Sequence, residues 1–121
     1  PRAKGWDWFS IHLDGGAKLM LFRMRHSQVE DFWSGTFISE RGSVTHLTEQ
    51  DIVARVLSQH KVATRKLPLN WSIQIPNHNI DIQISPLQIA QWNAGVFSYY
   101  EGGTKVSGSH TGVGFIELTG Y

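Results

Sequence analysis

The residues with chemical potential in this chain are few, and most of them fall on alternating segments. In GWDWFSIHL (Gly5–Leu13), Trp6, Trp8, Ser10 and His12 share one face, while Phe9, Ile11 and Leu13 share the other. Small-molecule pockets are built from aromatic walls with a few polar groups, so Trp6, Trp8 and His12 are candidate ligand contacts. The same side chains could instead be plain packing, inside the fold or against a further domain. Either reading predicts that both tryptophans are buried. Glu101 and Glu117 are the second set of candidates, each sharing a strand face with an aromatic, Tyr99 and Phe115 respectively. A carboxylic acid in an apolar setting holds its proton and can deliver it, for example in hydrating a double bond. Alternatively each carboxylate is structural, ion-paired with Arg23 or Arg25 across neighbouring strands.

Other chemistries find little support. The six histidines show no H-x-H or H-x-x-x-H spacing, and no metal site is expected. His26, His60, His78 and His110 fall in expected loops. There is no cysteine, which removes disulfides and thiolate chemistry. No G-x-S-x-G is present, and Ser107-Gly108-Ser109-His110 has the composition of a turn. Gly102-Gly103 and Gly112-x-Gly114 read as hairpin turns and do not open a helix, so they make no phosphate cradle. No cofactor is expected. The net charge is +1 with no basic run longer than Arg65-Lys66, so nucleic acid is not an expected partner. No apolar stretch approaches the ~18 residues of a membrane helix.

The elements that must position these residues are strands. Asp14-Gly15-Gly16 is a hairpin turn leading into Lys18–Arg25, which is apolar on both faces. Phe32–Ser39 and Gly42–Leu47 form a second hairpin around Glu40-Arg41-Gly42. Leu67, Leu69, Trp71, Ile73 and Ile75 alternate with polar residues; Pro76-Asn77-His78-Asn79 turns; Ile80, Ile82 and Ile84 alternate in the same way. Val96–Glu101, Lys105–Ser107 and Gly114–Thr119 complete the set. Thr48-Glu49-Gln50-Asp51 resembles a capping box, but the β-branched content of Ile52–Leu57 favours a strand there. Ser58–Lys66 reads as a polar loop. About eight to ten short strands without a long helix predict an all-β, antiparallel up-and-down barrel, a fold that can hold a small ligand. The 121 residues fit one domain.

Two stretches carry a resemblance. GWDWFSIHLDGGAKLMLFRMR near the start and YYEGGTKVSG…GVGFIELTGY near the end resemble the two-domain, lipocalin-like AttH-type proteins, often labelled predicted secreted hydrolases, with carotenoid hydratases as distant relatives. The matching positions are Trp6, Trp8, Asp14, Gly16, Leu19, Met20 and Arg25, then Pro68, Trp71 and Ile73, then Tyr99, Glu101, Gly102, Gly114 and Glu117–Tyr121. Tyr100 departs from the family's Trp, and Leu57-Ser58-Gln59 replaces its Trp-Ser-Pro. The resemblance implies a lipocalin-like (calycin-type) barrel forming the C-terminal half of a two-barrel protein, with an N-terminal barrel as its partner and a periplasmic or secreted location. The opening PRAKGWDW, with neither Met nor an apolar leader, fits a domain cut from a longer chain.

These observations lead to a binding module as the expected function. It takes a small hydrophobic ligand, or completes a pocket with the partner barrel, through Trp6, Trp8, His12, Trp71 and Tyr99. The alternatives are part of a hydratase-, isomerase-, cyclase- or hydrolase-type enzyme using Glu101 or Glu117, or a purely structural barrel. Exposure of Phe32, Trp33 or Trp92 would favour a homodimer.

Overall fold

The computed structural model describes residues 3–88, 92–93 and 99–121. Ten strands follow in chain order: β1 (Ala3–Leu13), β2 (Lys18–His26), β3 (Phe32–Ile38), β4 (Val44–Leu47), β5 (Val53–Val62), β6 (Arg65–Ile75), β7 (Ile80–Pro86), β8 (Trp92–Asn93), β9 (Tyr99–Gly108) and β10 (Gly112–Thr119). Nine form one antiparallel sheet in the order β4-β3-β2-β1-β10-β9-β7-β6-β5, and β8 pairs beside β9. Most chain neighbours pair with each other, β7 pairs with β9, and β10 returns to β1. This is an up-and-down barrel cut between β4 and β5. Among the described residues no ladder joins these two end strands, so the sheet is a half-barrel of the antiparallel, all-β kind expected. The chain crosses the gap through a 3₁₀ turn, Glu49–Asp51.

Alternation explains the curl. Phe9, Ile11 and Leu13 from β1, Leu19 and Leu21 from β2, the five apolar residues of β6 and the isoleucines of β7 all point inward and are buried. Rings from opposite halves of the sheet meet at the centre. Phe9 and Trp71 are 5.0 Å apart edge to face, and Trp33 and Trp71 are 5.9 Å apart. Trp71 donates its indole N–H to the Pro68 carbonyl at 2.7 Å, which satisfies its one polar group inside the core. Across the gap, Phe37 of β3 stacks on His78 at 4.1 Å, and Asn77 donates to Asp51 at 3.4 Å.

Several local expectations are corrected. Ser58–Lys66 is no loop, because β5 runs to Val62 and pairs with β6 through a two-residue turn at Ala63-Thr64. Both turn residues have positive φ, 51° and 83°, without being glycine, so the sequence carries none of the usual turn signal. His60 accordingly sits in a strand, 2.5 Å from Asn70 Oδ1. Gly102 and Gly103 lie inside β9, and Gly114 lies inside β10. A Cβ on Gly102 would stand 2.7 Å from the Tyr100 hydroxyl, and one on Gly114 would stand 2.9 Å from the Ser10 carbonyl. These glycines permit close approach rather than turning the chain. The capping box does form, with Thr48 and Asp51 bonding each other's backbone, and the strand follows it directly. The start of the expected Val96–Glu101 strand lies outside the described residues.

Candidate functional site

The outer face of the sheet is built by the residues that alternate with the core. Reading across paired strands from β9 to β3, one row is Glu101, Glu117, Trp8, Phe22 and Ser34. The next row is Gly103, Phe115, Ser10, Met20 and Thr36, and it continues to His46 on β4. Trp6 lies beyond the first row, exchanging hydrogen bonds with Thr119 at 3.0 and 3.2 Å and pairing with Met24. Trp6 is 41% exposed, Trp8 46% and Met20 46%, with Phe32 and Phe115 similarly open. The Trp8 and Phe22 rings meet at 4.5 Å and 53°. Beside them lies a pocket of about 260 Å³ lined by Trp8, Met20, Phe22, Ser34, Thr36 and His46.

Sequence reasoning expected Trp6 and Trp8 to be buried. Within this chain they are not, because the inward positions of β1 are taken by Asp7, Phe9, Ile11 and Leu13. Tyr99 and His12 lie on the same outer face as the two tryptophans, but Trp71 points inward and is 0% exposed. The five expected wall residues therefore do not meet at one site. His12 and His46 share the outer face but are separated by β2 and β3. Among the described residues, no three His, Asp or Glu side chains are grouped so as to hold a metal. Trp33 packs inward against Phe9, 5.9 Å away. The Trp92 side chain lies outside the described residues.

Among the described residues, the Glu101 and Glu117 side chains are not paired with arginine. They face each other across β9 and β10 on the outer face, half-buried, and Glu117 faces Trp8 on its other side. Among the described residues neither makes a hydrogen bond or ion pair.

The arginines belong to an inward cluster that sequence reasoning missed. Asp7 is 0% exposed. It accepts from Arg23 Nε at 2.7 Å and from the Tyr121 hydroxyl at 2.9 Å, with Arg25 Nε at 3.4 Å. Arg23 also donates to the Tyr121 hydroxyl at 3.2 Å and stacks over Trp71 at 4.9 Å. Arg25 lies over the Tyr121 ring at 3.8 Å and donates to the Thr119 carbonyl. Arg65 donates to the Tyr121 carbonyl at 3.0 Å. Burial pushes the Asp7 carboxyl up from its ordinary value, and the two guanidiniums pull it back. Burial and the adjacent Asp7 carboxylate push the Tyr121 phenol well above its ordinary value, so it stays a donor. The signal was in the alternation. Asp7 is in phase with Phe9 and Ile11, and Arg23 and Arg25 are in phase with Leu19 and Leu21, so a charge on a core face demanded a partner.

The AttH-like family profile matches residues 1–121, the whole chain. The chain belongs to the AttH-like family. A crystal structure of a candidate AttH from Nitrosomonas europaea superposes with a TM-score of 0.87 at 27% identity, covering 100% of this chain and 40% of that one. Two curated proteins share local similarity. Xylosyl- and glucuronyltransferase LARGE2 of Homo sapiens is 30% identical over 82 residues, 63% of this chain and 11% of that protein. LARGE2s of Gallus gallus is 30% identical over 98 residues, 75% of this chain and 13% of that protein. The chain thus spans less than half of the AttH-like structure and about a tenth of the two curated relatives. No helix among the described residues is long and apolar enough to cross a membrane.

Proposed function

We propose that this AttH-like half-barrel is a binding module whose working surface is its outer face. The Trp8 pocket takes a small hydrophobic ligand, and a partner barrel, the expected N-terminal half, closes over it. The observation that carries this reading is the asymmetry of the sheet. Its interior, where a hollow barrel would hold a ligand, is filled by Phe9, Trp33 and Trp71 in mutual ring contact. Its exterior leaves Trp6, Trp8, Met20, Phe32 and Phe115 half-exposed around an open pocket. Large apolar patches on a soluble surface mark interaction sites. The solved AttH-like relative has chain beyond the matched part, which is where a covering barrel would come from. Titration of the intact protein with bromo-octanol tests the reading, since bromine quenches tryptophan on contact. Saturable quenching that disappears in Trp8→Phe is expected. Quenching unchanged by that substitution would refute it.

A second reading, an enzyme acting on the bound molecule, draws on the Glu101–Glu117 couple, which has no ion pair among the described residues and lies in the same row as Trp8. One carboxylic acid would protonate a double bond while its neighbour receives the proton of the attacking water. Loss of turnover in Glu117→Gln with ligand binding retained would favour it.

A further inference from the structure

Resting on the pocket assignment above, we infer that the ligand is an amphiphile with an anionic, hydrogen-bond-accepting head such as a carboxylate, held at the β3–β4 side of the pocket by Ser34, Thr36 and His46. The pocket is chemically lopsided. The wall on β1 and β2 is apolar, formed by Trp8, Met20 and Phe22. The opposite wall carries two hydroxyls and an imidazole. Ser34 pairs with Phe22 across the β2–β3 ladder, and Thr36 lies between Met20 and His46, so the three polar groups line one side of the cleft in adjoining rows.

All three are donors in waiting. Among the described residues, Ser34, Thr36 and His46 side chains make no hydrogen bond or ion pair, although each opens into the same pocket. Each can present an O–H or N–H to an acceptor. Asp51, the carboxylate on which His46 acts electrostatically, already has its oxygens engaged by the Thr48 backbone N–H at 2.8 Å, the Thr48 hydroxyl at 3.1 Å and Asn77 at 3.4 Å. A cationic head would find its partners elsewhere, at Glu117 and Glu101 on the far side of Trp8. Charge-assisted hydrogen bonds are about twice as strong as neutral ones, so the head group should govern selectivity while the apolar wall supplies most of the contact.

The test compares bromo-octanoate, bromo-octanol and bromo-octylamine on the intact protein at neutral pH, each followed by quenching of the Trp8-dependent emission. The expected result is that the acid binds about tenfold tighter than the alcohol and that the amine binds weakest. That preference should collapse in Thr36→Val and in His46→Gln, while alcohol binding persists in both. Circular dichroism identifies a variant that fails to fold, and the other then decides. Equal affinity for acid and alcohol, or preference for the amine, would overturn the head-group assignment and leave the hydrophobic pocket standing. Absence of Trp8-dependent binding by all three probes would overturn the pocket and this inference together.

Discussion

The inner and outer faces of this sheet are made by the same strands and obey opposite rules. On β1, Asp7, Phe9, Ile11 and Leu13 point inward and are sealed, while Trp6, Trp8, Ser10 and His12 point outward and remain reachable. The inner face pairs its buried charge, and among its described residues it leaves Thr104 Oγ1 and Arg25 Nε without a hydrogen bond. Its one buried carboxylate among the described residues, Asp7, has three partners, and the Trp71 indole has its N–H bonded. The outer face holds half-exposed aromatics and, among the described residues, a carboxylate couple without an ion pair and the Ser34 and Thr36 hydroxyls without a hydrogen bond. A face whose apolar side chains are sealed and whose buried carboxylate is paired is structural. One that leaves apolar and polar groups open is arranged for something else to complete it.

Substitutions on the two faces should therefore behave differently. Trp71→Ala should show the largest effect, lowering unfolding free energy in urea by about 3–5 kcal/mol, since a buried ring in contact with Phe9 and Trp33 is removed. Trp8→Ala should cost less than about 1 kcal/mol in the same assay, as a half-exposed side chain, yet abolish probe binding. A similar stability loss at both positions would break the comparison. Asp7→Ala should cost about 3 kcal/mol, because it strands the Arg23 and Arg25 guanidiniums in the interior. Thr64→Gly at the β5–β6 turn, where a β-branched residue holds φ at 83°, should stabilise the chain by about 1 kcal/mol. The smallest effect is expected at Asp51. Hydrogen bonds from the Thr48 backbone and hydroxyl hold its carboxyl below the ordinary 3.8. A folded value below the unfolded one means its contribution is present above pH 3.8 and is lost as pH falls through the depressed value. Melting temperature in Asp51→Asn should thus fall less steeply than the parent's on acidification below that point.

The strand pattern was legible because period-two alternation is strong where one face is sealed. Leu67 to Ile75 and Ile80 to Ile84 stand as the sequence reads. Glycine misled where it served close packing, as at Gly102 and Gly114, since a turn glycine and a close-approach glycine look alike in sequence. The Ala63-Thr64 turn carried no glycine, so two paired strand segments read as a loop. At the site, alternation correctly set Trp6, Trp8 and His12 on one face, but could not say which face of the sheet would close. That choice depends on contacts between β1 and β6, residues more than fifty positions apart. Trp71 was drawn into the same wall for that reason. Ser34, Thr36 and His46 drew no attention as a group because only the pairing of β2, β3 and β4 brings them to one pocket.

Locating bromine in crystals of the intact protein soaked with bromo-octanol decides whether the outer face binds and the inner face supports. Anomalous density is expected in the cleft between Trp8, Met20 and Phe22. Bromine lodged inside the sheet between Phe9 and Trp71, with the Trp8 cleft empty, would contradict it.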